Sequence, residues 1–130
     1  MLDTNVLISA LGWGGPPETC FRFVLRTQAI NFTSEDLLEE LSTALHYPRL
    51  EITEVERERF VDLVTSVSIV LEPEIDIGRI EEDPDDNKVL ECALVADADF
   101  IVSGDRHLKQ LGTFQKTEIV PPSEFADRFR

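Results

Sequence analysis

The sequence predicts an α/β fold of three layers, in which helices cover both faces of a mainly parallel sheet of about five strands. Apolar strand-like runs alternate with helical patterns along the chain, an order typical of parallel sheets with helical crossovers. The run Phe100–Ser103 is almost wholly apolar, as in strands buried on both faces. No repeat or linker divides the 130 residues, so we expect a single domain, 1–130.

The strand segments are short. Only Met1 and Leu2 precede the first turn signal, whereas strands usually run about 5–6 residues. Either this strand is short or the native start of the chain lies upstream of Met1. The other predicted strands are rich in apolar and β-branched residues; they are Ala29–Thr33, Ser68–Leu71, Phe100–Ser103 and Thr117–Val120.

The helices are predicted from their start signals and apolar spacing. Thr4 or Asn5 can cap the first, while Ser34 and Thr53 are good N-caps for two later ones. An acidic connection over 72–83 separates the fourth helix from the fifth. The predicted helices are Val6–Leu11, Pro17–Gln28, Glu35–Tyr47, Glu54–Ser66, Asn87–Ala96, Arg106–Leu111 and a last one after Ser123.

Composition restricts the class of protein. The hydrophobic fraction of 42% supports a real core, and no apolar run approaches the roughly 18 residues that a membrane span needs. Cys20 and Cys92 fall in apolar helical patterns and are expected to be buried thiols in a reducing cytoplasm. The net charge of −14 opposes non-specific binding to a polyanion. A nucleic-acid enzyme of this charge needs cations in its site, unless the acidic excess is only a solvated surface.

Four carboxylates are candidates for a common site. Asp3 and Asp105 each follow an apolar strand, and ligands of α/β sheets bind at the carboxyl ends of strands. Asp86 begins a helix on its apolar side, and Glu40 borders an apolar stripe while Glu39 points to the opposite face. Carboxylates beside apolar surface are costly unless capped, paired or metal-bound. Clustered carboxylates are the environment that Mg²⁺ and Mn²⁺ prefer.

Each of these residues also has an ordinary structural interpretation. Asp3 could cap a strand end, and Asp105 could cap the helix that begins at Arg106. Asp86 could be an N-cap in competition with its acidic neighbours, and Glu40 could be a solvated helix residue. The case for a site therefore depends on all four reaching one edge of the sheet.

Four segments together resemble the PIN-domain family. They are Leu2–Leu7, Ser34 with Leu38–Leu41, Asp83–Lys88, and Ala98–Asp105. The similarity spans nearly the whole chain, and it is closest to the toxins of bacterial and archaeal toxin–antitoxin systems. The resemblance implies a Rossmann-like parallel sheet and a Mg²⁺- or Mn²⁺-dependent endoribonuclease.

The resemblance also implies roles for individual residues. The acidic quartet of the family corresponds to Asp3, Glu40, Asp86 and Asp105. Asn5 corresponds to a polar residue that holds the first Asp in place, and Ser103 to a small hydroxyl residue before the last Gly-Asp. Asp83 matches an Asp-Pro-x-Asp pattern, as a helper or as a turn residue. Residues beside the acids are candidate contacts for RNA phosphates, or only complement helix dipoles: Lys88, Arg106, His107 and Lys109.

The function expected is hydrolysis of RNA phosphodiester bonds by a metal-activated water. A cytoplasmic toxin of this kind would have an RNA substrate and an antitoxin partner, and the acidic charge suits a basic partner. The Trp13 loop and the apolar residues of helix 54–66 could serve a homodimer or the antitoxin. The alternatives are a PIN-like module that binds RNA or protein without cleavage, and a phosphatase or phosphoacceptor domain.

Overall fold

The computed structural model describes residues 1–74 and 84–130. Asp83 lies outside the described residues. The helices are α1 (Thr4–Gly12), α2 (Gly15–Leu25), α3 (Glu35–Ala44), α4 (Glu54–Ser66), α5 (Pro84–Ala96), α6 (Arg106–Leu111) and α7 (Pro122–Phe129), with a 3₁₀ turn at Pro48–Leu50. The strands are β1 (Asn31–Ser34), β2 (Ser68–Leu71), β3 (Phe100–Val102), β4 (Thr113–Phe114) and β5 (Thr117–Val120).

The described strands form two hydrogen-bonded sheets rather than one. β1 pairs with β2 in parallel, and the second sheet has the order β3-β5-β4. β3 and β5 are parallel, but β4 runs antiparallel to β5. The expectation of one mainly parallel sheet of about five strands is thus corrected to two sheets of two and three strands. β4 escaped prediction because it has only two residues, between Gly112 and the tight turn at Gln115, both with positive φ.

The first residues of the chain lie between these two sheets. Leu2 forms an isolated parallel bridge with Val102. The Val102 N–H donates to the Met1 carbonyl at 2.8 Å, and the Asp3 N–H donates to the Val102 carbonyl at 3.0 Å. On the other side, the Leu2 N–H donates to the Asn31 side-chain oxygen at 2.8 Å. The Asn31 amide in turn donates to Ser68 Oγ at 2.9 Å. The buried Asn31 side chain therefore takes the place of the backbone hydrogen bonds that would otherwise join the first residues of the chain to β1.

The apolar core lies on both faces of the strands. Ile101 and Ile119 belong to one cluster, and Val102 and Val120 belong to the other, as the alternation of side chains along a strand requires. The first cluster is covered by α5, α6 and Leu37 of α3, and the second by α1, α2, the rest of α3, α4 and α7. This arrangement gives the three layers that the sequence predicts.

The two cysteines are free and lie in opposite clusters, Cys20 in the layer of α2 and Cys92 in that of α5. Burial raises the pKa of each thiol to about 11. The expectation of buried thiols is confirmed. Among the described helices, none is long and apolar enough to span a membrane.

The helix starts follow local capping chemistry. Ser34 caps α3 through Leu37, and Thr53 forms a capping box with Glu56 at the start of α4, so both predicted N-caps are confirmed. The first helix begins earlier than predicted, because Asp3 is its N-cap rather than Thr4 or Asn5. α2 and α5 also begin before their predicted starts, at Gly15 and Pro84, while α2 and α3 end earlier, at Leu25 and Ala44.

Replacing Asn31 tests how the first residues are held between the sheets. We expect Asn31→Ala to lower the free energy of unfolding by about 1–3 kcal/mol, because the Leu2 N–H would remain buried without its acceptor. Asn5→Ala is the matched control: Asn5 is exposed, and this change should stay within about 0.5 kcal/mol of wild type. Urea denaturation measures both, and equal stability of the two variants would contradict the assigned role of Asn31.

Candidate metal centre

Asp3 occupies the point where the bridge to β3 ends and α1 begins. Its side chain is 5% exposed. One carboxylate oxygen, Oδ1, accepts from the Thr4 N–H at 2.8 Å, and the other, Oδ2, accepts from Ser103 Oγ at 2.6 Å. The capping interpretation and the site interpretation of Asp3 are therefore compatible: the carboxylate caps the helix and is held in one orientation beside Ser103.

Ser103 connects Asp3 to Asp105. Its side chain is fully buried, its hydroxyl donates to Asp3, and its oxygen accepts from the Asp105 N–H at 2.9 Å. Ser103 follows β3 directly and therefore reaches both segments at the carboxyl end of that strand. The hydroxyl fixes the two aspartates relative to each other.

Asp105 is the N-cap of α6. Its Oδ1 accepts from the N–H groups of His107 at 2.8 Å and Leu108 at 3.1 Å. The positive end of a helix stabilises a carboxylate at this position. The helix cap that the sequence suggested for Asp105 is present, and it places a half-buried carboxylate at the same edge as Asp3.

Asp86 brings a second carboxyl group against Asp105. Asp86 lies in the first turn of α5 and is 8% exposed. Burial alone would raise the pKa of Asp105, but a hydrogen bond with the Asp86 side chain and the N–H groups of Leu108 and His107 together hold it below its usual value. Two carboxyl groups in contact need a shared proton or a cation between them. This pair is therefore the part of the site most suited to a positive ion.

Glu40 lies in an open cleft beside Asp3. The cleft has a volume of about 470 Å³ and is also lined by Thr4, Asn5 and Lys88. Glu40 is half-buried and Glu39 is exposed, as the helical spacing predicts, although both line the cleft. None of the three aspartates lines this cleft. It approaches Asp3 through Thr4, which borders both the cleft and a small internal cavity that Asp3 lines.

The predicted supporting residues have varied positions. Asn5 is exposed, and its side chain forms no hydrogen bond with the part of the chain that the structure describes. The orientation of Asp3 expected from Asn5 is instead supplied by Ser103 and the Thr4 N–H. Of the candidate phosphate contacts, Lys88 lines the cleft, whereas Arg106 and Lys109 are exposed on α6, the helix that Asp105 caps.

Two cleft residues were missed by the sequence analysis. Asp36 and Tyr47 line the cleft together with Glu40. Asp36 precedes Glu40 by four residues and Tyr47 follows it by seven, which is the spacing of one helical face. That spacing could have predicted that the three residues share a face. Tyr47, however, lies beyond the end of α3, where it precedes the 3₁₀ turn.

The donor set of this site suits Mg²⁺ or Mn²⁺. In residues 1–74 and 86–130, no three histidine, cysteine, aspartate or glutamate side chains are arranged to hold one metal ion. The groups that do meet are oxygen donors, the Asp86–Asp105 pair and Asp3 joined to it through Ser103. Mg²⁺ is commonly bound by one or two carboxylates, with waters and substrate phosphates completing its shell. The pair meets that requirement.

Comparison with known proteins identifies the family of the chain. The family model described as "PIN domain" matches residues 1–107, a span that includes Asp3, Glu40, Asp86 and Asp105. The chain is also similar to an uncharacterized protein of Methanocaldococcus jannaschii, with 28% identity over 141 residues, covering 99% of this chain and 90% of that protein. The family match covers well over half of the chain, which therefore belongs to the PIN domain family.

Proposed function

We propose that this protein is a metal-dependent endoribonuclease that hydrolyses RNA phosphodiester bonds. The observation that carries the proposal is the group of three aspartates at one edge of a PIN fold, with Asp86 against Asp105 and Asp3 joined to Asp105 through Ser103. PIN domains are generally nucleases, and an all-oxygen site of this kind suits the divalent ions such enzymes use.

The acidic side chains and their hydrogen-bond partners would have different roles in such a site. Asp86 and Asp105 would hold the ion, with Asp3 beside them and Glu40 contributing from the cleft. When bound, Mg²⁺ or Mn²⁺ supplies the charge that lowers the pKa of water and offsets the negative charge of the reacting phosphate. Ser103 keeps the Asp3 carboxylate aligned, and the N–H groups at the start of α6 keep Asp105 ionised.

The shape of the surface supports a polymeric substrate. The internal cavity that borders Asp3 has a volume of about 10 Å³, which is room for about one water molecule. The neighbouring cleft of about 470 Å³ is open to solvent. A strand of nucleic acid can lie across an open cleft with its ends outside the protein, as internal cleavage requires. Lys88 lines this cleft and would contact a phosphate of the strand.

The role as a toxin of a toxin–antitoxin pair is part of the same proposal. The net charge of −14 favours a basic protein partner. Two apolar side chains of α4, Val55 and Leu63, are exposed, and they offer contacts for an antitoxin or for a second copy of the chain. The cytoplasm is the compartment where such a toxin meets RNA.

Neutralising one member of the aspartate pair tests the catalytic proposal. We expect Asp86→Asn and Asp105→Asn to reduce Mn²⁺-dependent RNA cleavage by at least about a hundredfold, because metal sites lose about this much even when only an outer contact is removed. Asp3→Asn should behave in the same way. The measurement is the initial rate of cleavage of a labelled single-stranded RNA.

Asp127→Asn is the matched control, since Asp127 is an exposed aspartate on α7 whose side chain is 79% accessible. It should cleave at the wild-type rate. Unchanged cleavage by Asp86→Asn and Asp105→Asn would contradict the proposed metal site. Metal and RNA binding by wild type without any cleavage would instead identify a non-catalytic PIN-like module.

Ser103 provides a second test, directed at positioning. Ser103→Ala removes the donor to Asp3 and the acceptor for Asp105, and we expect Mn²⁺ affinity and cleavage each to fall about 10- to 100-fold. Ser103→Thr keeps the hydroxyl and should restore a large part of both. Calorimetric titration with Mn²⁺ measures the affinity directly. Equal metal affinity in wild type and Ser103→Ala would show that the hydroxyl has only a structural role.

A further inference from the structure

A second cleft adjoins the cleft that contains Glu40. It has a volume of about 370 Å³ and is lined by Asn5, Ile8, Ser9, Trp13, Ala44, Tyr47, Arg49 and Leu50. Asn5, Ala44 and Tyr47 also line the first cleft. The shared residues place the two clefts side by side. We call the second cleft, defined by its eight lining residues, the aromatic groove.

The aromatic groove carries two large exposed rings. Trp13 is 68% exposed at the end of α1, and Tyr47 is 60% exposed before the 3₁₀ turn. Both side chains are held at the ends of regular elements rather than in long loops. Exposed aromatic rings grouped in a groove typically mark a binding surface, since burial would otherwise remove their apolar area from water.

The charge of the groove differs from that of the chain. The protein has 26 aspartate and glutamate residues, and the first cleft contains Asp36, Glu39 and Glu40. Among the residues that the structure describes, no carboxylate lines the aromatic groove, and the charged side chain there is Arg49. Arg49 is exposed and forms no ion pair with any residue that the structure describes. A polyanion can therefore approach this part of an acidic protein without facing negative side chains.

We propose that the aromatic groove binds the unpaired bases of single-stranded RNA. Trp13 and Tyr47 would stack on successive or nearby bases, and Arg49 would contact the backbone phosphate between them. Stacking on aromatic rings is the usual way in which proteins hold unpaired bases, and it needs little sequence preference. The strand then continues past Tyr47 into the cleft beside Asp3. This inference rests on the proposed nuclease function and adds the side chains that would hold the strand outside the metal site.

The intrinsic fluorescence of the protein tests the groove without any cleavage. Trp13 is the only tryptophan in the chain, so its emission reports on this groove alone. The Asp3→Asn variant in Mg²⁺ is titrated with a mixed-sequence RNA of about 12 nucleotides, and separately with the same RNA annealed to its complement. We expect saturable quenching by the single strand and little by the duplex, whose bases are already stacked. No quenching, or equal quenching by both, would overturn the inference.

Substitutions test the same groove through cleavage by otherwise intact protein. Trp13→Ala and Tyr47→Ala should each raise KM for single-stranded RNA about 5- to 100-fold, as expected for the loss of one stacked base. Trp13→Phe and Tyr47→Phe keep a ring and should remain close to wild type. Ile30→Ala is the control, because Ile30 is equally exposed, at 65%, but lies outside the groove.

The two proposals fail in different ways. If wild type cleaves RNA and the Trp13→Ala and Tyr47→Ala variants match it, the groove inference is wrong and the nuclease stands. If wild type cleaves no RNA yet single strands quench Trp13, the nuclease proposal is wrong and the groove stands. Arg49→Gln adds an independent measure, since loss of one phosphate contact should reduce the salt dependence of binding by about one counterion.

Discussion

The site depends on one buried hydroxyl. Ser103 donates to Asp3 and accepts from the backbone of Asp105, at 2.6 and 2.9 Å. Carboxylates that approach one another in a buried setting repel and lose hydration, and they remain together only where hydrogen bonds hold them. Ser103 meets this constraint because it lies immediately after β3, between the end of the first segment and the start of α6. Its proton is donated to Asp3, while the Asp105 carboxylate accepts from the N–H groups at the start of α6.

The same residues serve the fold and the site. Asp3 caps α1 and Asp105 caps α6, so each carboxylate is stabilised by N–H groups before any cation is present. Asn31 holds Leu2 from the other side, which places Asp3 between the two sheets. A protein with a net charge of −14 can keep acidic side chains half-buried at one edge only with such local compensation. Outside this edge, the aromatic groove offers rings and an arginine in place of carboxylates.

The sequence was sufficient for features that depend on local pattern. The alternation of strand-like and helical segments predicted the α/β fold, and the caps at Ser34 and Thr53 were correct because capping involves residues three positions apart. The four acids were selected from strand ends and from resemblance to PIN domains. Features that depend on contacts between residues far apart in the sequence could not be predicted from it. The bond between Leu2 and Asn31 joins residues 29 positions apart, and the contact between Asp86 and Asp105 joins the start of α5 to the start of α6. β4 was too short to produce any pattern.

The central claim is that the aspartate edge holds a divalent cation. The most direct measurement is a crystal structure of the protein with Mn²⁺, in which anomalous scattering locates the ion. The account predicts a strong peak in contact with the carboxylates of Asp86 and Asp105, on the side where Asp3 is held by Ser103. A peak elsewhere on this acidic surface, with none at the aspartate pair, would contradict it.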